Sequence, residues 1–339
     1  MRAVASALLK FAASSILFSH LSLAGPTDPA YCAKCEESAP GFASLNGGTT
    51  GGKGGPIVTV TTHADLKAYA GLDGPYVIRV DRTLVSEPFG YEIPIKSHKT
   101  IIGVGRAGKI TGGGLTVKNE RNIIIRNLEI SGTYNPADYD GKQNDFDGVQ
   151  VDGGTNIWID HCKFTQMWDG LLDLRKDTNY VTVSFTQFSE HNKAFGIGWT
   201  DNVLSKMTIH DNFFHSTNQR NPSADNLQHC HMYNNYFRNL TAYGTYARGA
   251  TQLLVEASYY EDVNDPLHAD ATAAIRSNQV RFKDCRGKRE VSARPEKVFK
   301  ASDFYSYQLK NPDDLPRTVP GAVGPSPEIG IWTSGWRDR

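Results

Sequence analysis

Eight charged residues of this chain have types and spacings that could do chemistry together. Asp145-Phe-Asp147 and Asp169-Gly-Leu-Leu-Asp173 are two acidic pairs, and Asp147 and Asp169 lie 22 residues apart. Carboxylates brought close repel one another unless a cation sits among them. An all-oxygen set, with no thiolate and no histidine pair, suits a hard divalent ion, for which Ca²⁺ is the natural choice outside a cell. The spacing is not that of an EF-hand loop. The same aspartates also read as turn and cap residues, and both readings stand at this point. Downstream come Lys193, Arg220 and Arg248, separated by 27 and 28 residues, and Arg175 follows Asp173 by two, on the same strand face. Taken singly, each cation reads as an exposed solvated side chain. In a row beside bound Ca²⁺ they would make a site for a polymer of acidic sugars.

Such residues converge only if the chain is coiled. From residue 122 to about 285 it cycles through short β-branched and aromatic runs, among them Asn122 to Ile130, Asn156 to Phe164, Tyr180 to Phe188, Lys206 to Phe214, Cys230 to Phe237 and Gln252 to Tyr260. Each opens on the alternation of a strand. Phe164, Phe188, Phe214, Phe237 and Tyr260 hold the same place in successive runs, at steps of 24, 26, 23 and 23. A period of this size without crossover helices predicts a solenoid, in which stacked turns bury what one turn cannot. Two residues before those aromatics lie Cys162, Thr186, Asn212, Asn235 and Ser258. Small polar residues at one repeated place predict an inward corner with a ladder of amides, a structural role for Asn212 and Asn235. The expected fold is all-β, a right-handed parallel β-helix spanning residues 56–289. A short helix from Thr62 to Ala70, opened by Thr62-x-x-Asp65, would cap its N-terminal end. Residues 25–55 form a Cys- and Gly-rich lead-in, and residues 290–339 a Pro/Gly-rich irregular tail packed outside. Gly47 to Gly55 lacks the Gly-Lys-Ser/Thr ending of a phosphate loop. Asp313-Asp314 reads as a solvated turn.

Composition bounds the partners. The chain has 339 residues, 36 basic and 36 acidic side chains, and a formal net charge of +0. That balance argues against a nucleic-acid binder, although a local cleft can still differ from the total. Abundant glycine (32) beside scarce methionine (4) suits a turn-rich β protein. Residues 1–24, with Arg2, an apolar stretch and Ser22-Leu23-Ala24, read as a signal peptide, so a secreted, extracellular monomer without a membrane span is expected. Cys32-x-x-Cys35 reads as a local disulfide and Cys162 as a buried small hydrophobe, within an odd total of five cysteines. Asn239-Leu-Thr241 is a glycosylation sequon. His229 and His231 alternate on one strand without a third metal ligand nearby, and are expected at the surface or a corner.

Several segments together resemble the family 1 pectate lyases, from about Gly41 to Asp284. Ile157-Trp-Ile-Asp-His-Cys162 is similar to a strand motif of that family, and Asp169-Gly-Leu-Leu-Asp173 to its second calcium segment. His191-Asn-Lys193-x-x-Gly-Ile-Gly198 resembles its lysine-bearing turn. Arg220-Asn-Pro222 with His231 to Asn235 resembles the catalytic-arginine segment, and Tyr246-Ala-Arg248 with Gln252 to Glu256 the next rung. The resemblance implies Asp145, Asp147, Asp169 and Asp173 as Ca²⁺ ligands, Lys193, Arg175 and Arg248 as substrate contacts, and Arg220 as the base. It implies β-elimination in polygalacturonate or pectin, giving 4,5-unsaturated products. Arginine ordinarily titrates at about 12.5–13.8, so better activity at alkaline pH is expected. One departure stands out: the family usually has a second arginine five residues after the catalytic one, where this chain has Asp225. Alternatives are a pectin lyase acting on methylated polymer without Ca²⁺, against which the four aspartates argue, and a non-catalytic wall-binding protein on a lyase scaffold. A polygalacturonase is disfavoured because neither Asn-Thr-Asp nor Gly-His-Gly occurs.

Overall fold

A computed structural model describes residues 34–35 and 38–332. The leader expected over residues 1–24 and Cys32 lie outside the described residues. Nearly all regular structure is β, and the strands stack in parallel from one turn to the next. One sheet has eleven strands. A second, of sixteen, is two faces of the coil joined by the long strand Gln187–Gly198, which pairs at its start with Lys163–Thr165 and Phe213–Gln219 and at its end with Gly170–Arg175 and Ser223–Asp225. The architecture is the expected parallel β-helix.

The alternation read from sequence is what fills its interior. Ile157 and Ile159 lie opposite Val181 and Val183, these opposite Met207 and Ile209, and so on through Cys230 and Met232 to Leu253 and Val255. All are fully or almost fully buried. Each such side chain contributes about 1.5–3 kcal/mol of burial, set against the entropy of ordering the chain. On the second face Phe164, Phe188, Phe214, Phe237 and Tyr260 stand in register, with successive ring centroids 5.6, 4.6, 5.0 and 4.3 Å apart. At the corner before them His161, Phe185, Asp211, Asn234 and Ala257 take left-handed backbone, turning the chain from one face to the next.

The polar ladder lies just after that turn. Asn235 Oδ1 accepts from Asn212 N at 3.0 Å and from Asn212 Nδ2 at 3.1 Å, and Asn212 Oδ1 accepts from Thr186 N at 2.9 Å. Asn212 Nδ2 and Asn235 Nδ2 donate back to the carbonyls of Val183 and Ile209. The N–H groups of Thr186 and Asn212 and the side-chain amides of Asn212 and Asn235 are thereby satisfied by neighbouring rungs.

The ends are closed by different means. Helix His63–Ala70 starts where Thr62 Oγ1 accepts from Asp65 N at 3.0 Å, and it buries His63, Leu66 and Ala70 over the open edge. The C-terminal segment runs back along the outside. It packs Leu315 and Val319 against Phe213 and Tyr236, and reaches Phe185 O through Gly324 N and Asn127 through Ser326 N. Asp313 is exposed and faces Arg281 at 3.1 Å. Cys35 is disulfide-bonded, whereas Cys162, Cys230 and Cys285 are free and buried.

One expectation fails here. His231 is fully buried, with Nε2 3.1 Å from Glu256 Oε2 and Nδ1 2.9 Å from Tyr305 Oη, and His229 is caged by Phe42, Phe299 and Phe304. The alternation put both on the outer side of their sheet, but the terminal segments then cover that face.

Candidate active site

The third face of the coil carries Val149–Asp152, Gly170–Arg175, the end of Gln187–Gly198, Ser223–Asp225 and Thr245–Arg248 in register. Inward residues Val149, Leu172, Phe195 and Ala224 belong to the core, so the residues between them must point outward. That alternation places Gln150, Asp173, Gly196 and Ser223 in one outer row and Asp152, Arg175, Gly198, Asp225 and Arg248 in the next.

Asp145, Asp147 and Asp169 each offer an oxygen within 4.8 Å of the others. Asp173 joins them from the neighbouring rung. A methyl group placed on Gly170 would sit 2.9 Å from Asp147 Oδ1 and 3.0 Å from Asp173 Oδ1, so both oxygens face the space that this glycine leaves free. Asp173 Oδ1 is buried and has no hydrogen-bond partner. Burial, and then repulsion from Asp145 and Asp169 against the opposing hydrogen bond of Gln150, pushes the Asp147 carboxyl up to about 7. Burial and the Asp147 charge raise Asp173 too. Burial raises Asp169, outweighing its bond from Lys193. Crowded carboxylates with an unpartnered buried oxygen fit a hard divalent ion, which would satisfy that oxygen and relieve the repulsion.

The cations do not form a single file. Lys193 lies opposite Gly170, buried, with Nζ on Asp169 Oδ1 and 2.5 Å from the carbonyl of Asp140. Arg220, in left-handed backbone at the end of strand Phe213–Gln219, holds Nη1 3.8 Å from Asp173 Oδ2. These two flank one side of the carboxylates. Arg175 and Arg248 stand in the outer row on the other side. Arg175 is clamped by Asp152 (2.8 Å) and Asp145 (3.2 Å). Burial alone would lower its pKa, but those two carboxylates raise it. Arg248 is exposed, in register with Asp225, and its guanidinium lies 5.5 Å from the Tyr246 ring.

Three further groups were not anticipated. Glu92 Oε1, from an earlier turn, accepts from Asp147 N at 2.9 Å, and burial pushes its carboxyl up to about 8. Gln150 Nε2 bridges Asp145 (3.1 Å) and Asp147 (2.9 Å), and Asp152 orients Arg175. Gln150 and Asp152 sit at the outward places of a strand whose register could have revealed them. Glu92 carries no such local signal. Trp199 also enters the site: its indole folds back over Gly196, with the Arg220 guanidinium 5.3 Å from the ring.

The chain is similar to known proteins over most of its length. The family model described as pectate lyase matches residues 6–314. A pectate trisaccharide-lyase of Thermotoga maritima is 41% identical over 60% of this chain, an alignment spanning 58% of that protein's length. One from Bacillus licheniformis is 31% identical over 85% of this chain and 86% of its own. Among solved structures, a Bacillus pectate lyase in complex with trigalacturonate superposes with a TM-score of 0.68 at 26% identity, covering 84% of this chain and 98% of that one.

Proposed function

Because the chain belongs to the pectate lyase family, we propose that it is a secreted pectate lyase, cleaving (1,4)-linked α-D-galacturonan by Ca²⁺-dependent β-elimination. The observation that carries this reading is the buried, unpartnered Asp173 Oδ1 facing Asp147 across Gly170, with Lys193 and Arg220 at the rim. Asp145, Asp147, Asp169 and Asp173 would hold the ion. When bound, Ca²⁺ supplies positive charge to a uronate carboxylate and so favours loss of the adjacent C5 proton.

The chain's own groups do the rest. Lys193, fixed among backbone and carboxylate oxygens, adds charge where the enolate-like carboxylate develops. Arg220, in its neutral guanidine form, accepts the C5 proton and becomes guanidinium. The C5–H electron pair becomes the C4=C5 double bond, the C4–O bond breaks, and the departing oxygen takes up a proton from water. Arg175, held rigid by Asp152 and Asp145, and the exposed Arg248 grip carboxylates of neighbouring sugars, so substrate orientation is set before reaction. Secretion rests on the leader-like residues 1–24, and Asn239, exposed in left-handed backbone, suits a glycan. The experiment is direct: polygalacturonate incubated with the protein and Ca²⁺ releases products absorbing in the ultraviolet as conjugated unsaturated uronates. Binding without such products would favour a non-catalytic wall-binding protein.

A further inference from the structure

The outer rows of the third face change character one rung beyond Asp173. Gly196 is in register with Asp173 and Gly198 with Arg175, so where the flanking rungs carry polar or charged side chains this rung carries none. The chain then turns through left-handed Trp199, and the indole folds back over the strand it has just left. A Cβ on Gly196 would stand 2.4 Å from the Trp199 ring and 2.7 Å from Asp173 Oδ1. The ring therefore fills the space left by Gly196, beside the carboxylate cluster. On another side it meets the Arg220 guanidinium, 5.3 Å from its centroid. Despite these contacts Trp199 remains 49% exposed. The indole thus presents an apolar, electron-rich face to whatever lies beside the carboxylate cluster.

We propose that the indole of Trp199 is a stacking platform for the sugar next to the one whose C5 proton is removed, and so a specificity-determining residue. This rests on the pectate lyase reading above. In a galacto-configured ring the C3, C4 and C5 hydrogens point to one side and make an apolar patch. That patch suits the electron-rich face of an indole, which a carboxylate avoids. The platform thus reads the sugar ring, while Arg175 and Arg248 read charge on either side of it. Its closeness to Arg220 also sets the register of the polymer, since a sugar stacked on the ring brings its neighbour toward the guanidinium.

The test is the split between KM and kcat on trigalacturonate with saturating Ca²⁺, for wild type, Trp199→Ala and Trp199→Phe. Loss of one aromatic contact is expected to raise KM roughly tenfold in Trp199→Ala, with kcat within about threefold of wild type. Trp199→Phe should recover most of the loss. A normal KM with a much lower kcat would show that the ring only holds Arg220, and would overturn the platform. So would a Phe variant as impaired as the Ala variant. Calorimetric binding of trigalacturonate in an Arg220→Ala background reads the platform without turnover. Roughly tenfold weaker binding on adding Trp199→Ala supports it and equal affinity overturns it. Absence of unsaturated product from wild type would instead refute the reaction assignment and leave this binding comparison valid.

Discussion

Arg220 Nη1 lies 3.8 Å from Asp173 Oδ2, while the other oxygen of that carboxylate is buried and unpartnered. Asp173 thus faces the proposed base on one side and the carboxylate cluster on the other. A residue in this position couples the two halves of the site, one that holds an ion and one that takes a proton.

That coupling has a thermodynamic consequence. With no divalent ion bound, Asp173 and the fully buried Asp147 repel one another. Asp173→Asn removes a carboxyl whose ionisation burial and Asp147 disfavour, at nearly constant volume. In EDTA the variant is expected to melt a few degrees above wild type. In saturating Ca²⁺ the wild type should gain about 2.7 kcal/mol at a hundredfold excess over Kd, and the variant should gain little. Differential scanning calorimetry with and without Ca²⁺ checks both signs. A variant that keeps the full Ca²⁺ gain would remove Asp173 from the ligand set.

The amide ladder makes a prediction about stability alone. Asn235→Ala leaves the N–H of buried Asn212 without its acceptor, takes one of two acceptors from the Asn212 side-chain amide, and removes a donor from the Ile209 carbonyl. Stranding such groups costs about 1–3 kcal/mol each. Urea unfolding should show a loss of at least about 2 kcal/mol with no change in KM, because the ladder is at a different corner from the groove. An unchanged midpoint would contradict the ladder's role.

Acid should loosen the face covered by the terminal segments. His229 sits among Phe42, Phe299 and Phe304, and burial, helped by Lys206, pushes its pKa down to about 4. The unfolded imidazole titrates near 6.5, so between pH 6.5 and 4 the unfolded chain binds the extra proton. The contribution of His229 to stability is complete above pH 6.5 and is lost as pH falls toward 4. His229→Gln should melt with a shallower pH dependence in that window, measured in EDTA so that ion binding does not contribute. A slope equal to wild type would show that His229 does not carry this linkage.

The coil was legible because its signals repeat. Phe164 to Tyr260 recur at rung spacing, and Thr62 with Asp65 marks the capping helix within a few residues. The eight charged residues were legible as types, and the two acidic segments as neighbours one turn apart. Their grouping into two flanks was not, because register decides it: Lys193 lies opposite Gly170 rather than Asp173. Glu92 arrives from an earlier turn through a single hydrogen bond to Asp147 N, a relationship with no period behind it. Trp199 was hidden because its role depends on Gly196, which leaves room for the ring. His231 was misplaced because the segment that buries it, around Tyr305, is irregular and carries no repeat to follow.

Ca²⁺-dependent β-elimination with Arg220 as base is open to direct test. The most direct measurement is the initial rate of unsaturated product from polygalacturonate, for wild type and Arg220→Ala, each with Ca²⁺ and with EDTA. Product is expected from wild type with Ca²⁺ and not in EDTA, and Arg220→Ala should lose at least about a thousandfold in kcat, at the upper part of the range for removing a general base. Undiminished cleavage in EDTA, or an Arg220→Ala variant within tenfold of wild type, would contradict it.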